Sequence, residues 1–365
     1  MSDLFERLPK YVQIKESIRN EIENGVLNEG QQLPSESALI DRFGASKMTV
    51  IRALQELVQE GYLRRVQGKG TYVLRPSKNA PLIGVLVPGT DQGIFPVILH
   101  SIEERAHILG YEVFLCSTDD DAAKVETFAE RLIARKAAGV IAAPLERVAD
   151  TSCNLRWYGM FREAQIPVIL VDRGIKNLEN VPIVQTNNKE AMANLTREVM
   201  KRGHRRILMV RWEEIQSTST DERVAGFMES AVKSGEKAEL AKVVSVSGEK
   251  PFSKSLEDFE TILCEYEPTA LMCLNDQIAI HVFSLLKNVG ASLGAEVSIT
   301  GFDDLPFSEA IGLTTVHQPL EQEGVEAVNL LHQMIRGKKV ESKTINSNVV
   351  IRSSLLTVAK PVNGV

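Results

Sequence analysis

Between residues 46 and 60, Val50, Leu54, Leu57 and Val58 recur at helical spacing, which gathers them on one face and leaves Lys47, Thr49 and Arg52 on others. Ser46 stands where a hydroxyl can cap the free amides of the first turn, so a helix is predicted from Ser46 to Glu60. A shorter helix is predicted before it, opened by Ser35 and ending at Phe43, with Gly44 supplying the turn. Two short strands follow, Leu63–Val66 and Thr71–Leu74, around Gln67-Gly68-Lys69-Gly70, a turn whose glycines let the backbone come close to a phosphate. Helix, turn, helix and basic hairpin in this order predict a winged helix-turn-helix. Its candidate DNA-binding residues are Ser35, Ser46, Lys47, Thr49 and Arg52 on the helices, and Gln67, Gly68, Lys69 and Gly70 in the wing. A small packing module would show the same periodicity.

The period changes after residue 75. Arg75-Pro76-Ser77-Lys78-Asn79-Ala80-Pro81 is polar and bracketed by prolines, which marks a boundary between residues 1–75, a linker at 76–81 and a large domain over 82–360. From Leu82 onward short aliphatic runs alternate with helical stretches. Strands are predicted at Leu82–Val87, Val113–Ser117, Gly139–Ala143 and Val168–Asp172, with helices near Pro96–Leu109, through Phe128 to Arg135 and near Leu155–Ala164 between them. The rhythm restarts after Pro182: strands Ile183–Gln185, Ile207–Arg211, Val243–Val246, Ala270–Leu274 and Val297–Phe302 alternate with helices at Lys189–Arg202, from Arg223, at Ser255–Tyr266 and from Gln277. No element is assigned beyond Phe302. The fold class is therefore α/β, a small helical DNA-binding unit followed by two lobes of parallel sheet flanked by helices, with a cleft between lobes as the default ligand site.

Polar residues collect at the strand ends. Asp172-Arg173, Asn275-Asp276, Asp303-Asp304 and Gln318 each follow an apolar run. Each alone is accounted for as a helix cap or turn residue. As a set they supply amide, carboxylate and guanidinium groups suited to fork the hydroxyls of a sugar.

Charge supports the division. Residues 46–75 carry six basic side chains against Glu56 and Glu60, net +4, whereas the whole chain is −6. Residues 1–75 hold 11 basic and 10 acidic side chains, leaving 31 against 38 on the remainder, so the acidity belongs to the large domain. Hydrophobic content of 44% and 25% charged residues over 365 positions is ordinary for a globular protein of two or three compact units. No apolar run approaches a membrane span, and the start Met1-Ser2-Asp3-Leu4 has no signal-peptide pattern, so a cytoplasmic protein is expected. Cys116, Cys153, Cys264 and Cys273 have no metal-ligand spacing and read as small buried residues; neither metal nor cofactor is expected. An enzyme is disfavoured. Leu86–Gly93 lacks G-x-G-x-x-G, Gly68–Thr71 lacks the upstream glycine of a phosphate loop, and no G-x-S-x-G occurs.

The N-terminal string resembles the DNA-binding domain of GntR-family bacterial transcription regulators. The resemblance is carried by Pro-x-Tyr-x-Gln-Ile from Pro9, the Gly25–Glu36 run ending in Leu-Pro-Ser-Glu, Met48-Thr49-Val50, and Gly-x-Gly-Thr-Tyr-Val from Gly68. Where that family usually has an arginine this chain has Ile51, so either Arg52 takes over a phosphate contact or the contact is missing. Residues 82–355 resemble the sugar-sensing domain of the LacI/GalR repressors and the ribose-type periplasmic binding proteins. Ile-Gly-Val-Leu-Val-Pro, Ala-Gly-Val-Ile, Ile-Pro-Val-Ile-Leu-Val-Asp-Arg, Gly-His-Arg-Arg-Ile, Ser219–Phe227, Asn-Asp-Gln-Ile-Ala and Gly-Phe-Asp-Asp occur in family order. The combination resembles the arabinose-repressor-like regulators.

The resemblance implies a two-lobed, periplasmic-binding-protein-like fold that dimerises side by side, and a repressor of carbohydrate-utilisation genes acting on double-stranded operator DNA. By position it implies that Asp172, Arg173, Arg223, Asn275, Asp303 and Gln318 hold the effector, a monosaccharide, with Phe95 left as aromatic wall and Gln92 near it. A purine or an amino acid remains the alternative effector. Phe95 is equally a core candidate. Phe227, Phe302 and Phe307 suit core or cleft wall, and Trp157 and Trp212 could line the cleft. Arg223, expected at a helix start against the helix dipole, calls for a ligand or carboxylate beside it.

Overall fold

The computed structural model describes residues 8–28, 30–66, 70–74, 80–91, 93–147, 152–178, 180–233, 238–247, 252–289 and 297–358. Gln67, Gly68 and Lys69 of the expected wing turn, Gln92, and most of the expected linker lie outside them. The chain divides into two compact units, Met1–Pro81 and Leu82–Val365.

In the first unit, helix α1 (Lys10–Glu23) turns Ile14, Ile18 and Ile22 inward at a spacing of four. They pack on Leu39 of α2 (Glu36–Phe43), on Val50, Leu54 and Leu57 of α3 (Lys47–Gln59), and on Leu63 and Val73 of the hairpin. The caps are as expected: Ser35 Oγ accepts from the Ala38 amide, Ser46 Oγ from the Thr49 amide, each at 3.3 Å, and Gly44 takes the left-handed conformation at φ 54°. Strand β1 (Leu63–Val66) pairs antiparallel with β2 (Gly70–Val73), Leu63 opposite Val73 and Val66 opposite Gly70. The second strand thus sits one residue earlier than its hydrophobic pattern suggests. Gly70, at φ 109° with Gln32 packed where a side chain would be, is what permits the early start.

The second unit has two lobes. The first contains β3 (Leu82–Val87), α4 (Phe95–Ile108), β4 (Glu112–Ser117), α5 (Ala122–Ala134), β5 (Gly139–Ala142), α6 (Cys153–Glu163), β6 (Val168–Val171) and β7 (Ile183–Thr186). Helix α5 passes through Phe128 as expected and begins at Ala122, where the Asp121 side chain caps it by accepting from the Ala123 and Lys124 amides. The second lobe contains α7 (Asn188–Lys201), β8 (Arg206–Trp212), α8 (Thr218–Lys233), β9 (Leu240–Val246), α9 (Phe252–Tyr266), β10 (Ala270–Cys273), α10 (Asp276–Val289), β11 (Ser298–Thr300), α11 (Pro306–Ala310) and β12 (Thr315–His317). The chain then returns to the first lobe as α12 (Leu320–Ile335) and β13 (Lys343–Ile345), and ends on the second with β14 (Asn348–Val350).

The first sheet has the order β13-β7-β6-β5-β3-β4, all parallel; the second is β11-β10-β8-β9, also parallel, with β12 and β14 pairing antiparallel beside it. This corrects one expectation. The stretch after Pro182 is not the first strand of the second lobe, because Ile183 pairs with Leu170 and Val184 with Val171 in the first sheet, between β6 and β13. The lobes are therefore joined by three chain crossings, at Asn187, at Gln318-Pro319 and at residues 346–347.

Each lobe has its own core. Phe227, Phe259 and Phe302 are fully buried in the second, and Trp157 and Phe161 in the first. Trp157 donates to Asn154 Oδ1 and is a core residue, not a cleft residue. Cys153 and Cys273 are buried as expected, whereas Cys264 is exposed and Cys116 half-buried.

Candidate functional site

The strands of both sheets point their carboxyl ends at a cavity of about 320 Å³ between the lobes, a size that suits a small ligand. From the first lobe Phe95, Asp172 and Arg173 line it; from the second, Arg223, Asn275 and Asp303. Asp172 and Arg173 directly follow β6, Asn275 follows β10 and Asp303 follows β11. The cavity thus brings together six of the eight expected effector residues, four of them at strand ends and two, Phe95 and Arg223, on helices. Of the other two, Gln92 is outside the described residues. Gln318 does not line the cavity: buried at the second crossing, it donates through Nε2 to Asp303 Oδ1 at 2.6 Å and orients that carboxylate.

Arg223 departs from expectation in its surroundings. Helix α8 starts at Thr218, so Arg223 lies in its second turn, not at its start. Its guanidinium is buried, donates from Nε to Asn188 Oδ1 and from Nη1 to the Leu274 carbonyl, both at 2.8 Å, and rests 3.8 Å above the Phe302 ring. One edge remains toward Asp303, 3.7 Å away.

Arg173 is held more loosely. It makes ion-pair contact with Asp172, Nε to Oδ2 at 2.8 Å, and with Glu146, but neither contact is aligned as a hydrogen bond. Its Nε and Nη1 are thus buried against carboxylates without an aligned hydrogen bond, which a ligand offering a well-placed acceptor would improve. Its guanidinium also covers the Phe95 ring, 5.4 Å from the centroid, and Phe95 is packed into the first-lobe core, so this ring is both wall and core.

Burial dominates the electrostatics. It raises Asp172 to about 6, Arg223 opposing, and lifts Asp303 well above the carboxylate range, Arg223 and the Gln318 hydrogen bond opposing. It lowers Arg173 to about 10. The backbone is strained in the same place. Of nine non-glycine residues with positive φ among those described, Asp119, Asp120, Asp172 and Asp303 line this cavity, which marks it as a site that the surrounding packing forces into shape.

Asp120, Glu146, Arg147, Ser219 and Thr220 also line the cavity, and none of them is among the expected effector residues. Asp120 and Glu146 follow β4 and β5, so the strand-end criterion applied to every strand finds them. The neighbouring carboxylate Asp276 serves the fold, since it accepts from the Ser308 and Thr315 hydroxyls at 2.6 Å and from the Leu305 amide at 2.9 Å. Trp212 and Phe307 line a different hollow, not this one.

On the first unit, Ser35, Ser46 and Lys47 are exposed and Thr49 half-buried at the start of α3, with Met48 exposed between them. The Ser46 and Thr49 hydroxyls are 2.8 Å apart. Arg52 is already engaged, stacked 3.8 Å over the Tyr11 ring and 3.4 Å from Glu56. Gly70 is exposed at the base of the wing. Among the described residues no helix is long and apolar enough to cross a membrane, and no cluster of metal ligands occurs.

Comparison with known proteins places both units. The family of periplasmic binding proteins and the sugar-binding domain of the LacI family matches residues 80–356, and the gntR family of bacterial regulatory proteins matches residues 10–73. An arabinose metabolism transcriptional repressor of Geobacillus stearothermophilus is 30% identical over 344 residues, covering 92% of this chain and 93% of that protein. The HTH-type transcriptional repressor PurR of Histophilus somni (strain 129Pt) is 29% identical over 280 residues, 75% of this chain and 81% of its own. The crystal structure of a periplasmic binding protein/LacI transcriptional regulator from Alkaliphilus metalliredigens QYMF, complexed with D-xylulofuranose, matches with a TM-score of 0.61 at 26% identity, over 75% of this chain and 99% of that one. With a gntR-family region ahead of a LacI-family sugar-binding domain, the chain belongs to these two families joined in one protein, and it is a DNA-binding transcription regulator, not an enzyme.

Proposed function

We propose that this regulator is a repressor of carbohydrate-utilisation genes whose operator binding is governed by an uncharged monosaccharide held between the two lobes. The observation that carries the reading is the set of donors and acceptors in the cleft that lack aligned hydrogen bonds: Arg173 Nε and Nη1 are buried against the Asp172 and Glu146 carboxylates without one, and Arg223 faces Asp303 across 3.7 Å. A hydroxyl both donates and accepts, so vicinal hydroxyls satisfy such neighbours together. The charge balance favours a neutral ligand. With Asp303 left out because burial favours its neutral form, Asp119, Asp120, Glu146 and Asp172 still outnumber Arg147, Arg173 and Arg223, which leaves no cationic excess to hold a phosphate.

A purine is the second reading, supported by the similarity to PurR proteins over three quarters of the chain. It fits the cleft less well. A purine ring needs an open aromatic face, and the face that Phe95 offers is covered by Arg173.

The expected cycle is a symmetric dimer reading two half-sites about 34 Å apart or a multiple of it. The effector favours one arrangement of the lobes and so one spacing of the winged helices. Calorimetric titration with arabinose, ribose and xylulose, and with hypoxanthine and guanine, tests the reading. Saturable binding of a sugar and none of the purines supports it; purine binding alone replaces it with the second.

A further inference from the structure

The two lobes are joined by three crossings, and two of them are hydrogen-bonded to neighbouring cleft residues of the second lobe, Arg223 and Asp303. Arg223 Nε donates to Asn188 Oδ1 at 2.8 Å, immediately after the first crossing. Gln318 Nε2, on the second crossing, donates to Asp303 Oδ1 at 2.6 Å. The crossings are themselves clasped: Asn188 Nδ2 donates to the Thr186 carbonyl at 3.2 Å, and the Thr186 hydroxyl donates to Glu323 Oε1 at 2.5 Å, one turn into the helix that follows the second crossing. All six side chains are buried, so no water competes for these bonds.

We propose that Asn188, Gln318 and the Thr186–Glu323 clasp form one buried relay that carries occupancy of the cleft to the hinge between the lobes. The proposal rests on the cleft being the effector site. A ligand that shifts Arg223 and Asp303 must lengthen, bend or carry along a bond to each crossing. Hydrogen bonds weaken steeply with angle and distance, and a broken one here leaves a buried polar group unsatisfied. The two crossings therefore move with the two cleft residues. The clasp also has a group in waiting, since Glu323 Oε2 is buried without a hydrogen-bond partner in this arrangement. A different lobe angle can satisfy it, which gives the hinge two distinct settings and not a continuum. Asn188, Gln318, Thr186 and Glu323 are on this account positioning residues. Gln318 acts on the ligand through Asp303 and not by touching it.

The test uses the full-length protein and a DNA site selected by the wild type from a random pool. Thr186→Val removes the clasping hydroxyl at nearly constant volume, while Glu323→Gln keeps an oxygen that accepts from it. Calorimetry with arabinose, ribose and xylulose gives effector affinity; gel shift with and without saturating sugar gives the coupling ratio. Thr186→Val should keep sugar affinity within about threefold while the coupling ratio falls to about one, and Glu323→Gln should behave as wild type. A coupling ratio for Thr186→Val within about twofold of wild type overturns the relay. A second arm needs no effector. Melting shifts of Arg223→Ala and Thr186→Val should be non-additive when combined, and additive once Asn188→Ala removes the link between them. If none of the sugars binds the wild type, the sugar reading falls and this cycle alone decides the relay: non-additivity abolished by Asn188→Ala supports it, and simple additivity overturns it.

Discussion

Arg223 Nη1 stands 3.7 Å from Asp303 Oδ1, within ion-pair range and beyond hydrogen-bond length, with both side chains buried. A guanidinium and a carboxyl this close without a direct bond can be bridged by a hydroxyl, which accepts from the one and donates to the other. Arg223→Ala and Asp303→Asn should each weaken sugar binding by about tenfold to a hundredfold, the effect of leaving a buried partner unpaired at about 1–3 kcal/mol. Operator binding without sugar should remain near normal. Calorimetry alongside melts of the ligand-free variants checks this, and unchanged sugar affinity in well-folded variants would remove both residues from the site.

The first unit separates two kinds of basic residue. Lys47 is exposed at the start of α3, and its replacement by alanine should weaken DNA binding and reduce the salt slope by about one. Lys69→Ala in the wing should act the same way. Thr49→Ala removes a half-buried hydroxyl and methyl near the same helix end and should shift base preference. Arg52→Ala is expected to behave differently. Its guanidinium is committed to Tyr11 and Glu56, so the variant should lower stability with little change in salt slope. Gel shifts across a salt series would contradict this division if Arg52→Ala altered the slope as Lys47→Ala does.

Glu323 gives the large domain a pH signature. Burial, with Asp172 adding to it, raises this carboxyl from its ordinary 4.5 to about 8, the Thr186 hydrogen bond and Arg223 opposing. The native group therefore keeps a proton that the unfolded chain releases above 4.5. Its stability contribution is full below that pH and is lost as pH rises, until the native group ionises near 8. Asp172, raised to about 6, adds a similar loss that ends sooner. Melting temperatures measured from about pH 5 to about pH 8 should fall less for Glu323→Gln than for the wild type. Parallel curves would contradict the assignment.

Gly226 explains a glycine of the Ser219–Phe227 motif in mechanical terms. Helices α7 and α8 pack so closely there that a Cβ would fall against the Lys189 carbonyl and the Ala193 amide, backbone atoms that cannot turn aside. Gly226→Ala should destabilise the large domain by about 1–3 kcal/mol. Thermal melts would show a drop of several degrees, and an unchanged transition would mean that the helices can separate without cost.

What is legible in the sequence is local. Caps at Ser35 and Ser46, the apolar stripe of α3 and the strand-end residues Asp172, Asn275 and Asp303 are properties of a few neighbouring positions, and they lead directly to the helices and the cleft. What is not legible depends on distant pairing. Whether Ile183–Thr186 belongs to the first or second sheet is decided by Leu170 and Val171, because strands of both lobes have the same apolar pattern. The Arg223 partner Asn188 is 35 residues away and the Thr186 partner Glu323 is 137 away, so no motif spacing links them. Arg223 draws notice in the sequence as a cation at a helix start, yet it lies within the helix; the family pattern identifies the residue, and only the packing shows what holds it.

The sugar-sensor reading stands most directly on operator affinity as a function of sugar. Full-length protein titrated against its selected DNA site, with and without arabinose, ribose and xylulose at concentrations shown by calorimetry to saturate the cleft, should change affinity by about fivefold or more for at least one of them. Operator affinity that stays constant while a sugar fills the cleft, or that responds to purines alone, would contradict it.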